Sequence, residues 1–109
     1  MSEARLEELR SRIRHLDRQL VTLVGERRQL ALEIGEAKAA VGLPILDPPQ
    51  EARVVRRAAE VARELGVDEE MTRDVIWRII ASARDAQAGQ TRWGPPRHAS
   101  SSSSGMAED

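Results

Sequence analysis

Cysteine, phenylalanine and tyrosine are all absent from this chain of 109 residues. Without Cys there is no disulfide framework, no thiolate zinc site and no thiol nucleophile. Aromatics make up 2% of the residues, in Trp77 and Trp93, so a surface that reads bases by stacking lacks its usual side chains. Charge of one sign is missing too: 17 Lys+Arg stand against 18 Asp+Glu, a formal net charge of -1. That balance removes the strong basic field on which nonspecific nucleic-acid binding depends. The histidines, His15 and His98, are too few for a His-based metal cluster. The uncharged run Ala39 to Leu46 is too short for a signal peptide or a membrane span. These absences lead to the expectation of one compact domain in the cytoplasm, binding no metal, nucleic acid or membrane.

What is present is helical periodicity. From Glu3 to Ala40 no Pro occurs, and Leu6, Leu9, Ile13, Leu16, Leu20, Leu23, Arg27, Leu30, Ile34 and Ala37 follow one another in steps of three and four. That is the seam of a heptad coil and predicts one long helix. Gly42-Leu43-Pro44 ends it, because Gly accepts left-handed geometry and the residue before Pro is pushed out of the helix. Asp47-Pro48-Pro49-Gln50 starts a second helix: Asp suits the N-cap, Pro the first position, and Gln50 a capping box. Val54, Ala58, Val61 and Leu65 mark its apolar side, and Gly66 closes it. Asp68 caps a third helix that runs to about Gln87 or Gln90, with a buried stripe of Met71, Val75 and Ile79 beside Ile76, Ile80 and Ala83. Trp77 is expected at a helix interface and His15 on the surface. The stretch from Trp93 through Pro95-Pro96 and Ser100 to Ser104 has no periodicity. The expected division is a helical domain over 1–90 and a disordered tail over 91–109, the fold class being all-α with three helices per chain.

A length argument then bears on assembly. A helix of roughly 36 residues is about 54 Å long, whereas a compact domain of about 100 residues has a radius of gyration of about 13 Å. Two short helices cannot cover the whole seam of the long one. The expectation is an intertwined homodimer whose first helices run side by side and antiparallel.

Several polar residues stand where apolar ones belong. Arg27 occupies a seam position, and a buried guanidinium is costly unless an anion meets it. Lys38 follows eleven residues later, about 16 Å further along and within about 20° of the same direction, with the small residues Ala31 and Gly35 between. Two cations beside a recess suit a small dianion; the alternative is a register-setting Arg27 paired with a Glu of another helix. Arg10 lies about 25 Å from Arg27 along the same helix, so only an antiparallel partner can bring an Arg10 close. Asp47 and Glu51 stand one turn apart at the start of the second helix. Asp47 suffices as a cap and Glu51 suits the helix dipole, yet together they also suit a ligand hydroxyl. Gln87 continues the Ile76, Ile80, Ala83 stripe, so its amide must bond to a neighbouring helix or to a ligand. Arg53, Arg56, Arg57 and Arg63, interspersed with Glu51, Glu60 and Glu64, read as an ion-paired solvated face. No phosphate-binding Gly loop and no nucleophile-base pattern is present.

These residues, in this order, resemble the all-helical chorismate mutases. The resemblance covers about Leu6 to Gln87. It is carried by Leu9-Arg10 with Ile13 and Leu16-Asp17, by Glu26-Arg27-Arg28, and by Ile34-Gly35-Glu36-Ala37-Lys38. Gly42-Leu43-Pro44-Ile45-Leu46-Asp47 with Glu51, and Ile79-Ile80 followed by Gln87, complete it. It implies an isomerase that converts chorismate to prephenate in Phe and Tyr biosynthesis, without a cofactor, in an interlocked dimer with two sites. By the same resemblance Arg27 and the partner subunit's Arg10 hold the substrate carboxylates, Lys38 and Gln87 face the ether oxygen, and Asp47, through its backbone, and Glu51 hold the ring hydroxyl. Gln50 and Ala83 depart from the usual pattern, where many relatives have Arg and Ser. The first departure removes a charge near the site and the second a hydroxyl, which bears on substrate grip and choice.

Three alternatives stay open. An isochorismate-pyruvate lyase shares the fold and most of the cationic clamp. A mutase acting on 4-amino-4-deoxychorismate is compatible with Glu51, which can meet an ammonium as well as a hydroxyl. A helical dimerisation or regulatory module with a degenerate site is the non-enzymatic reading. Docking on a larger pathway enzyme, with the tail as a docking segment, is compatible with any of them.

Overall fold

A computed structural model describes residues 2–88 of the chain. The order of elements is α1 (Glu3–Ala40), α2 (Pro48–Leu65) and α3 (Glu69–Gln87), and no strand occurs among the described residues. The tail expected over 91–109 lies outside them.

Both ends of α1 and α2, and the start of α3, have a local cause. Ser2 caps α1, its hydroxyl accepting from Arg5 N at 3.0 Å. Gly42, at φ 74°, ends that helix; Gly42 N donates to Ala39 O and Leu43 N to Lys38 O at 2.9 Å. This pair of bonds satisfies carbonyls the helix leaves open, and it needs a left-handed residue at the turn. Gly66, at φ 72°, does the same for α2, with Gly66 N on Arg63 O and Val67 N on Ala62 O at 2.8 Å. Asp47 Oδ1 accepts from Gln50 N and Asp68 Oδ1 from Met71 N, so both Asp caps form as expected. Gln50 does not complete its capping box: its carbonyl accepts from Arg53 Nε at 2.9 Å instead.

The described residues divide into two compact units, one ending at Leu30 and the other starting at Ala31. The first is helical from Glu3 onward and rich in surface charge, with Arg14–Glu7 at 2.8 Å and Arg5–Glu8 at 3.0 Å. Its seam is open to solvent: Ile13 is 57% exposed and Leu20 is 62% exposed.

In the second unit α2 and α3 pack on each other. The linker 66–68 is short and makes them antiparallel neighbours. Arg63 near the end of α2 pairs with Glu69 at the start of α3, and Glu51 near the start of α2 pairs with Arg84 near the end of α3. The small residues Ala59 and Ala62 are buried on α2, and Ile80, Ser82 and Ala83 on α3.

This corrects the expected apolar faces. Met71 and Val75, expected in the buried stripe of α3, are exposed, and so are Val61 and Leu65 on the apolar side of α2. The reason is geometric: alanines allow close helix approach, and the bulkier residues beside them stand at the edge of the contact. Val54, Ala58, Val61, Leu65, Val67 and Ile76 instead line an open apolar groove of about 440 Å³. The ion-paired face of α2 is also rearranged, since Arg63 and Glu51 find partners on α3, not one turn away on their own helix.

Candidate active site

The second unit carries Lys38, Asp47, Glu51 and Gln87, and main-chain and side-chain contacts connect the segments that bear them. Lys38 is half-buried in the last turn of α1, and its Nζ donates to Ile45 O at 3.1 Å. Its own carbonyl accepts from Leu43 N, so the turn after α1 folds around this one residue. Two residues beyond Ile45, Asp47 caps α2, and Asp47 O accepts from Glu51 N at 3.0 Å. Glu51 Oε1 accepts from Arg84 Nη1 at 2.7 Å, the Glu51 side chain being 15% exposed. One turn on, Gln87 Nε2 donates to Ala31 O. The side chain of Gln87 also lies over Gly35, where an added Cβ would meet its Cγ at 3.2 Å. Gly35 is one turn before Lys38. The contacts therefore form a closed circuit through the end of α1, the start of α2 and the end of α3.

Two expectations change in detail. The recess beside Gly35 is not empty in this chain, because Gln87 fills it. Gln87 bonds to a carbonyl of a neighbouring helix, one of the two partners open to it. Trp77 is half-exposed rather than enclosed at an interface, and the guanidinium of Arg84 lies 5.8 Å from its ring centroid, within cation–π range.

Arg10 and Arg27 belong to the first unit, where Arg10 is exposed and Arg27 half-buried. Neither is held in an ion pair among the described residues. No group of three or more His, Cys, Asp or Glu that could hold a metal stands among the described residues, and no described helix is long and apolar enough to cross a membrane.

Sequence reasoning missed Arg84. A signal for it existed: Arg84 falls four residues after Ile80 and three before Gln87, a charged residue on an apolar stripe, like Arg27 on α1. The carbonyls of Ile45 and Ala31 left no such signal, since any residue supplies a carbonyl.

Residues 9–88 match the family described as chorismate mutase type II. The chain belongs to that family. Among curated relatives, a T-protein of Enterobacter agglomerans is 36% identical over 77 residues, 71% of this chain and 21% of that protein. The Methanocaldococcus jannaschii chorismate mutase is 35% identical over 65 residues, 60% of this chain and 66% of the relative. A bifunctional chorismate mutase/prephenate dehydratase of Aquifex aeolicus is 35% identical over 80 residues, 72% of this chain and 22% of the relative. The chain thus spans about a fifth of the longer relatives and just under two thirds of the shorter one. The matched residues take in the whole circuit from Ala31 to Gln87, and Arg10 and Arg27 as well.

Proposed function

We propose that this chain is a chorismate mutase, which rearranges chorismate to prephenate within the substrate's own atoms. The observation that carries this reading is that Lys38, at the end of α1, and Gln87, at the end of α3, are each held by a main-chain carbonyl, in a chain of that family. An ammonium has three N–H donors and a carboxamide two. Lys38 uses one on Ile45 O and Gln87 one on Ala31 O. The main chain thus fixes both groups and leaves donors for a ligand.

The chemistry asks for such fixed donors. In the rearrangement the ether C–O bond breaks as a C–C bond forms, and negative charge grows on the ether oxygen before the new bond is complete. An ammonium and an amide already in place bind that oxygen more strongly in the transition state than in the substrate. Guanidinium clamps on both carboxylates hold the substrate folded so that the bonding carbons meet. In this reading Arg27 and the partner subunit's Arg10 are those clamps, and Glu51 with the backbone of Asp47 takes the ring hydroxyl. No nucleophile or cofactor takes part.

The reading includes a homodimer. The apolar seam of the first unit and the groove on α2 and α3 both lie open in the single chain. A second copy supplies the matching surfaces, and with them its Arg10. The folded and active part is taken to end near Gln90. The name of the Aquifex aeolicus relative joins a mutase to a prephenate dehydratase, which supports a larger pathway enzyme as a partner.

The deciding experiment incubates the purified protein with chorismate and, separately, with isochorismate, and identifies the products by NMR. Prephenate from chorismate is the expected result. Salicylate and pyruvate from isochorismate would move the assignment to the lyase. Turnover of neither, with no chorismate-dependent rise in melting temperature, would favour the non-enzymatic module.

A further inference from the structure

The Glu51–Arg84 ion pair has no part in the chemistry above, yet it occupies the residue assigned to the ring hydroxyl. Arg84 is held from two sides. Its Nη1 donates to Glu51 Oε1 at 2.7 Å, and its guanidinium lies 5.8 Å from the centroid of Trp77. The pair is largely withdrawn from water, with side-chain exposures of 30% for Arg84 and 15% for Glu51. It joins α2 to α3 across 33 residues of sequence, so local helix geometry does not account for it.

The charge state of this pair decides what Glu51 can recognise. A carboxylate on its own attracts an ammonium more strongly than a hydroxyl, since the ammonium adds a full charge to its hydrogen bond. A guanidinium keeps its proton in any protein environment. With Arg84 bound to Oε1, the carboxylate is already neutralised, and Oε2 is left as an acceptor in a pair of zero net charge. A hydroxyl can donate to Oε2 and meets no opposing charge. An ammonium there gains little from the neutral pair and stands close to the like charge of Arg84. Screening by solvent is weakened by the partial burial of both groups.

We propose that Arg84 is a specificity-determining residue, which makes the site select a neutral hydroxyl over an ammonium at the ring position that Glu51 meets. The proposal rests on the mutase reading and on the place of Glu51 in it. It also gives Trp77 a role: the ring flanks the guanidinium that bonds to Glu51.

The test is steady-state kinetics of the full chain with chorismate and with 4-amino-4-deoxychorismate, for wild type, Arg84→Met and Arg84→Lys. Wild type is expected to favour chorismate. In Arg84→Met the ratio of kcat/KM for chorismate to that for the amino analogue should fall by about tenfold, chiefly through a lower KM for the analogue. Arg84→Lys keeps the cation and should keep most of the preference. A merely structural role would lower kcat/KM for both substrates together and leave their ratio unmoved, which would overturn the proposal. So would a wild type that turns over the analogue as well as chorismate. If Arg84→Met does not fold, Arg84→Gln removes the charge while retaining a donor for Glu51, and the same ratio is read. A wild type inactive on both substrates would overturn the mutase reading and this proposal with it. An active wild type whose ratio survives loss of the charge overturns the assignment of Arg84 alone.

Discussion

Gly35 and Gln87 touch across 52 residues of sequence, with room for a hydrogen at position 35 but not for a relaxed methyl: an added Cβ would come to 3.2 Å from Gln87 Cγ. The contact sets where the amide of Gln87 sits, because the glycine is buried in α1 and cannot move aside. Gly35→Ala therefore separates stability from activity. Alanine in place of a mid-helix glycine favours the helix by about 1 kcal/mol, while Gln87 must shift by a few tenths of an ångström. The melting temperature should hold or rise, and kcat should fall by about tenfold, since misplacement of a catalytic group by a fraction of an ångström is costly. Unchanged kcat with chorismate would count against Gln87 as a catalytic residue.

Lys38 offers a sharper loss. In Lys38→Ala the preorganised ammonium is gone, a loss of about 3 kcal/mol of transition-state stabilisation, or about a hundredfold in kcat. Ile45 O loses its partner too, but it lies in a half-buried turn that water can reach. The far-UV circular dichroism should match wild type. Activity close to wild type in this variant would refute the assigned role.

The seam of the first unit gives a prediction about assembly. Leu20 is 62% exposed in the single chain, so Leu20→Glu costs little packing within it. In the proposed dimer the same carboxylate would be buried without a partner, at a cost of several kcal/mol. Sedimentation equilibrium should find the variant monomeric, with turnover lost because Arg10 no longer reaches a site. A dimeric and active Leu20→Glu would rule out the seam as the interface.

One pH effect follows from the α2–α3 turn. Arg63 holds Glu69 in a two-pronged contact, Nε to Oε2 at 3.0 Å and Nη2 to Oε1 at 3.1 Å. The hydrogen bonds from Arg63 are the main reason the Glu69 carboxyl lies below its ordinary value of 4.5. A carboxyl lowered on folding stabilises the fold above its unfolded range, and that contribution disappears as pH falls through the folded value. The pair is exposed, so the effect is small and weakened by salt. Glu69→Gln should flatten the acid side of a plot of Tm against pH at low ionic strength. Identical acid limbs in the two proteins would contradict this.

The sequence by itself determined the helices. Asp47, Asp68, Gly42 and Gly66 act within four residues of themselves, through caps and left-handed turns, so their effect can be read without knowing the fold. The positions of Lys38 and Glu51 at helix ends follow from the same local signals. Tertiary structure decided the rest. Ala59 and Ala62, rather than Val61 and Leu65, make the buried side of α2, because close approach between helices is a property of two surfaces and not of one stripe. Glu51 pairs with Arg84 over 33 residues, and Gln87 reaches Ala31 O over 56. A side chain that could bond to several neighbours, or to a carbonyl that every residue carries, has its partner chosen by packing alone.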